Sequence, residues 1–329
     1  WRLIGFYRTE KDLWCADKAF IVTFLGASVM LAGLILIYIN HGTLNLAALK
    51  GVEISNLVFV LILAGIFSKS AQLPLSSWLP DAGVAPSPVT ALLHAAVLVK
   101  IGVYAYARIF STVFIVSESA KLWLLAVIMF SGLVAAVSAL RENNIKRILA
   151  YSTISQLSYI FLGLIINSAL AFGAALLYIL VHSVGKAGLF LTAGIVEQKT
   201  HTKNLNQLGG LMKSIPLAAV SFLLCAFSII GIPPFGGFFS KFYVILATAR
   251  AGHTALAALG IITAFVTLLY LIRLFDGIFL GEVKTPLKGK VPMTMTSVVL
   301  TCGIISLLIG LFVRYPLNFI NSIIIALGR

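Results

Sequence analysis

Apolar stretches of about 20 residues recur along this chain, without the period-two alternation of a barrel strand, and several carry a lysine near their middle. A run of that length is built to cross a bilayer as a helix, because in hydrocarbon every backbone polar group has to be satisfied within the segment. The balance of residues agrees: 60% are hydrophobic and only 10% charged, where a soluble domain carries about a quarter charged. The expected fold is therefore an all-α polytopic membrane protein. Nine crossings are read, at roughly 19–39, 57–76, 87–109, 122–140, 148–166, 168–194, 216–248, 255–279 and 293–312. The seventh is too long for one straight span, and Ile232-Pro233-Pro234-Phe235-Gly236-Gly237 at its centre predicts a broken helix. Ser87-Pro88 has the form of a helix opening. The apolar patch from Phe319 to Leu327 is too short to span and is expected at the interface.

A formal net charge of +14 is not read as nucleic-acid binding, because the basic residues fall at segment ends and inside segments rather than on one soluble face. Alternating loops place Arg2, Arg8, Lys11, Lys18, Arg141, Lys146, Arg147, Lys199, Lys203, Lys213, Lys284, Lys288 and Lys290 on one side. Lys50, Arg108, Lys121, Arg250 and Arg314 fall on the other. The positive-inside rule makes the first side cytoplasmic, and the bacterial or archaeal cytoplasmic membrane is the expected location. Cys15, Cys225 and Cys302 have no metal-ligand spacing and read as free thiols. No nucleotide loop or cysteine cluster is present, so no cofactor is expected on this chain. The start at Trp1-Arg2-Leu3, with no Met and no signal peptide, predicts the later part of a longer protein.

Two words nearly repeat: Gly65-Ile66-Phe67-Ser68-Lys69 and Gly237-Phe238-Phe239-Ser240-Lys241, each beside proline. Matched Gly/Pro-interrupted segments point to a transporter built from repeats. Lys69, Lys100, Lys186 and Lys241 lie too deep to reach the interface easily, and a lysine at that depth marks an ion or proton pathway. His94 shares a span with Lys100. His182 and Lys186 stand four residues apart on one helix face. Ser68, Ser70, Thr90, Tyr104, Ser183, Thr192 and Ser240 accompany them as packing residues. Arg273 is expected to form a structural pair with Asp276. No Asp or Glu lies near the middle of a span, so a carboxylate for the lysines is expected outside these residues, since an opposite charge is what restores the charged form of a buried lysine.

Three further words, Phe67-Ser68-Lys69-Ser70-Ala71-Gln72-Leu73-Pro74, Trp78-Leu79-Pro80-Asp81-Ala82 and Ala85-Pro86-Ser87-Pro88-Val89-Thr90-Ala91-Leu92-Leu93-His94, resemble the antiporter-like subunits of respiratory complex I. Membrane-bound energy-converting hydrogenases and multisubunit cation/proton antiporters carry relatives. Ile145 to Gln156, His182 to Lys186, Leu208 to Met212 and Gly231 to Lys241 extend the resemblance over nearly the whole chain. It implies two inverted five-helix repeats, each with one discontinuous helix. Residues 1–18 would be a cytoplasmic lead-in and 19–109 the last three helices of an incomplete first repeat. Residues 122–279 would form the second repeat, and 293–329 an additional helix and tail. It implies a proton relay through Lys69, Lys100, Lys186 and Lys241 with His94 and His182, and a glutamate partner for Lys69 on a helix before residue 1. It also implies other membrane and peripheral subunits, with Fe–S clusters and flavin or Ni–Fe on those partners. The expected function is translocation of protons, or of sodium, as a subunit of a redox-driven oxidoreductase. An antiporter subunit with no redox partner, or a scaffold, are the alternatives. The visible chain lacks the carboxylate oxygens that a sodium site favours.

Overall fold

A computed structural model describes residues 1–285, 289 and 291–327. Lys288 and Lys290, two members of the basic side, and Arg329 lie outside the described residues. The described chain is helical and contains no strand beyond two isolated bridges, Glu53 to Ile115 and Asn144 to Asn204. Among the described residues, seven helices are long and apolar enough to cross a membrane, and two shorter apolar helices accompany them.

Helix α1 (Glu10–His41) opens on Thr9, whose hydroxyl accepts from the Asp12 amide, and stops at Gly42 in the left-handed region. It thus starts well before the expected residue 19. Helix α2 (Asn56–Ser70) also ends earlier than expected, six residues short of 76. The chain turns at Ala71 and Gln72, and a short helix α3 (Trp78–Asp81) follows. Leu73-Pro74 ends what the apolar count alone would prolong, since proline disfavours helix in the residue before it.

The third crossing, Ser87–Ser111, combines α4 (Ser87–Ala91), a π turn at Leu92–Ala96, α5 (Leu98–Tyr106) and a second π turn at Ala107–Ser111. Next come α6 (Glu118–Arg141), α7 (Ile145–Ile166) and the long α8 (Ala169–Thr200). The expected break in the seventh crossing is present: α9 (Pro216–Ile230) stops at Gly231, and α10 (Gly236–Arg250) resumes after the prolines. Helices α11 (Thr254–Phe279) and α12 (Met293–Leu311) follow. The tail forms α13 (Arg314–Ala326), which seats Ile320 and Ile324 against Gly173 of α8 and leaves Tyr315, Phe319 and Ile325 exposed.

Almost all of α7 is buried; it packs against α6, α8 and α10, and α9, α10 and α12 close around α8. Helices α1, α2 and α5 form a flank on the other side. Polarity is arranged for lipid: Phe20, Phe24, Leu25 and Leu31 of α1 face out, while Gln72, Gln156, Ser152 and Ser158 are buried.

Candidate functional site

The two interruptions differ in how their loose backbone groups are satisfied. At the first, Gln72 does most of it. Its amide nitrogen donates to the carbonyls of Ser70 (3.2 Å) and Ile154 (3.3 Å), and its oxygen accepts from Ser131 (3.1 Å) and Ser158 (3.2 Å). The Trp78 indole donates to the Ser68 carbonyl at 2.9 Å. At the second, a lysine does it: Lys241 Nζ donates to the last carbonyls of α9, Ile229 (2.7 Å) and Ile230 (3.3 Å). An ammonium there also meets the negative end of the α9 dipole.

Lys100 is held by the π turn that precedes it. Its Nζ donates to Ala95 O (2.5 Å), to Ile179 O (3.0 Å) and to the Ser183 hydroxyl. A wider turn leaves carbonyls such as Ala95 free of regular helix bonding, which is how π turns come to serve sites. Lys186 donates to Leu149 O of α7 at 3.1 Å. His94, within the π turn, stacks on Phe190 with ring centres 4.5 Å apart. His182 lies edge-on to Tyr178. Both histidines are fully buried, and among the described residues their ring nitrogens have no hydrogen-bond partner. Buried polar atoms of this kind are normally satisfied by ordered water.

His182 is the hub, within Coulombic reach of Lys100, Lys186, His94 and Lys241. His94 is in reach of Lys186, and Lys186 of Lys241. Five of the six residues expected to carry protons are therefore gathered. Lys69 is apart from them: it sits half-buried in the last turn of α2, and among the described residues its ammonium has no hydrogen bond or ion pair.

Three readings change. Arg273 does not pair with Asp276; its guanidinium caps the end of α6, donating to Leu140 O (2.7 Å), Glu142 O (2.8 Å) and Asn143 Oδ1 (2.5 Å). Helix ends leave carbonyls unsatisfied, and a planar fork of donors suits them better than one carboxylate a turn away. Tyr104 points out, 66% exposed. Lys146, read as a loop charge, is 1% exposed. It pairs with Glu197 at 2.5 Å and donates to Ala85 O at 2.9 Å. Glu197 also takes Lys203 (2.8 Å) and the Ser87 hydroxyl (3.0 Å), beside a cavity of about 520 Å³ that Tyr7 and His201 help to line. Lys146 is in Coulombic reach of His94. The one signal for this pair in sequence is the carboxylate of Glu197, alone after a long apolar run. Nearby, Asp81 joins Lys18 and Arg147, both at 2.7 Å, and Arg147 reaches Glu142 at 2.8 Å. Glu142 lies outside the spans. Burial works to raise its carboxyl, but amides of Asn144 and Asn143 together with Arg147 outweigh this and hold it below its ordinary value.

The buried groups are amines, imidazoles, hydroxyls and carbonyls, a set that can exchange protons; among the described residues no cluster of His, Cys, Asp or Glu could hold a metal. Residues 1–267 match the family model described as NADH:quinone oxidoreductase/Mrp antiporter, TM. The chain is 36% identical to NADH-quinone oxidoreductase subunit L of Escherichia coli (strain K12), over 96% of this chain and 53% of that protein. It is 33% identical to Na(+)/H(+) antiporter subunit A1 of Staphylococcus epidermidis (strain ATCC 35984), over 92% of this chain and 43% of that one. It thus spans about half the length of the curated relatives it matches. Its fold matches a chain of the Mrp complex from Dietzia sp. DQ12-45-1b with a TM-score of 0.90 at 27% identity, over 97% of this chain and 69% of that one. It matches a chain of the archaeal membrane-bound sulfane sulfur reductase with a TM-score of 0.89 at 28% identity, over 98% and 67%. Both the sequence words and the broken-helix architecture are accounted for: the chain belongs to the NADH:quinone oxidoreductase/Mrp antiporter transmembrane family.

Proposed function

We propose that this chain moves protons across a bacterial or archaeal cytoplasmic membrane as a subunit of a redox-driven complex, with the redox centres on partner subunits. The observation that carries the reading is the buried group Lys100, His94, His182, Lys186 and Lys241, joined through His182, which lies in Coulombic reach of the other four. In low dielectric, a proton gained by one residue lowers the affinity of the next, so charge passes through the group. Lys69 would be the trigger, half-buried at the first interruption and open to a partner charge from elsewhere in the complex. The basic loops would face the cytoplasm. Sodium/proton exchange in a complex without redox partners is the second reading, and similarity to the Na(+)/H(+) antiporter subunit A1 supports it.

The test is alanine at Lys69, Lys100, Lys186 and Lys241 in turn, in the native complex purified through this chain and reconstituted in liposomes. Each should lower ion pumping by about tenfold or more, with assembly and electron transfer to artificial acceptors retained. Undiminished pumping in all four overturns the relay. Iron–sulfur subunits in the purified complex support the redox reading; hydrophobic antiporter subunits alone support the other.

A further inference from the structure

Of the relay lysines, Lys241 alone has its ammonium over aromatic rings among the described residues. Its Nζ lies 4.8 Å from the ring centre of Tyr159 on α7 and 5.7 Å from that of Tyr178 on α8. Both distances are within the range in which a cation is attracted by a ring face. The two rings meet edge to face, at 6.3 Å and 87°.

Each ring is fixed by its hydroxyl, which is used away from the lysine. The Tyr159 hydroxyl donates to Gly260 O at 2.6 Å. The Tyr178 hydroxyl donates to Gln156 Oε1 at 2.5 Å, and Gln156 donates in turn to Thr267 (3.1 Å) and Tyr270 (3.3 Å). With the hydroxyls committed elsewhere, what remains for Lys241 is the π face.

The groups around it make that face matter. Helix α8 contributes Tyr178, His182 and Lys186, and α7 contributes Tyr159. From α11 comes Tyr270, with Arg273 three residues and Asp276 six residues further on. The thiols Cys225 of α9 and Cys302 of α12 lie against Gly188, and α10 itself carries Tyr243 and Arg250. Among the described residues Lys241 forms no ion pair; the carboxylates on these elements, Asp276 of α11 and Glu197 of α8, lie toward helix ends, and Glu197 is taken by Lys146 and Lys203. The positive charge is balanced by carbonyl dipoles and by aromatic quadrupoles instead.

We propose that Tyr159 and Tyr178 are positioning residues of the relay: a two-faced aromatic seat that, with the α9 carbonyls, stabilises the Lys241 ammonium in place of a carboxylate. The seat sets the pH at which this lysine takes up its proton, and the proposal rests on the relay reading above. Weakening the faces makes the ammonium less stable, so the lysine holds its proton only at lower pH and the alkaline limb of pumping moves down.

The experiment uses the reconstituted complex with Tyr178→Phe, and the same substitution carrying one, two or three ring fluorines, which drain the π face with little change in size. A parallel series at Tyr159 controls for position. The alkaline limb should move to lower pH stepwise with fluorination, by about one pH unit across each series. Superimposed profiles across both series overturn the seat. Lys241→Ala separates the two ideas: if it abolishes pumping while the series stay flat, the seat alone falls, and if it pumps normally, Lys241 leaves the relay and the seat falls with it.

Discussion

Two kinds of buried lysine occur in this molecule, and they differ in what removal of a neighbour does. Lys186 and Lys241 donate to backbone carbonyls, which no side-chain change can delete. Lys146 also reaches a carbonyl, that of Ala85, but its charge is met by the Glu197 carboxylate. Removing one member of a buried ion pair leaves the other charge uncompensated, which costs more than removing both. Glu197→Gln should therefore destabilise the protein by about 3 kcal/mol, and adding Lys146→Met should recover most of the loss. Thermal unfolding of the single and double variants in detergent measures this; a double variant as unstable as Glu197→Gln alone rules out the pair as described. The sequence could not announce this pair, since Lys146 stands among loop charges and its burial arises from α3, the turn at Ala82–Ala85 and α8 closing over the start of α7.

At the scale of elements, the interruptions carry the argument. The second was legible because Pro233, Pro234 and two glycines break an apolar run too long for one span. The first was half-legible: the repeated Phe-Ser-Lys words marked it, but its helix stops at Ser70 because Gln72 and Trp78 satisfy the freed groups, and those partners come from tertiary contacts. Lys100, Lys186, Lys241, His94 and His182 are marked in the sequence by their depth in apolar runs and are buried in the fold, whereas Tyr159 and Tyr178 carry no such mark. The second interruption also depends on close approach. A Cβ on Gly237 would run into the Ser228 carbonyl, and one on Gly310 into that of Pro234. Gly237→Ala should thus force α9 and α10 apart and cause loss of pumping together with a clear fall in thermal stability. Gly42→Ala is the control. Its Cβ meets nothing within 4 Å, and only its φ of 70° resists, so the cost should be about 1 kcal/mol with pumping retained. Equal effects of the two changes would show that close helix approach is not the reason for Gly237.

Taken whole, the molecule has two unlike ends. The isolated bridges lie at opposite ends of α6: Glu53 to Ile115 near its start, Asn144 to Asn204 near its finish. Lys18, Lys146, Arg147, Lys203 and Arg273 gather at the finish, and Lys50 and Lys121 lie at the start. If the basic end is cytoplasmic, cysteine at Lys203 should react with an impermeant maleimide in inverted vesicles, and cysteine at Lys50 in right-side-out ones. The opposite pattern reverses the orientation.

Helix α3 spans the gap between these ionic surroundings and the first interruption. One end is bound through Asp81 to Lys18 and Arg147, and the other through the Trp78 indole to the carbonyl of Ser68, the residue before Lys69. It acts as a strut only four residues long. The last turn of α2 cannot unwind far without pulling on two part-buried ion pairs, so backbone travel beside Lys69 and the tension in that ionic network are one mechanical quantity.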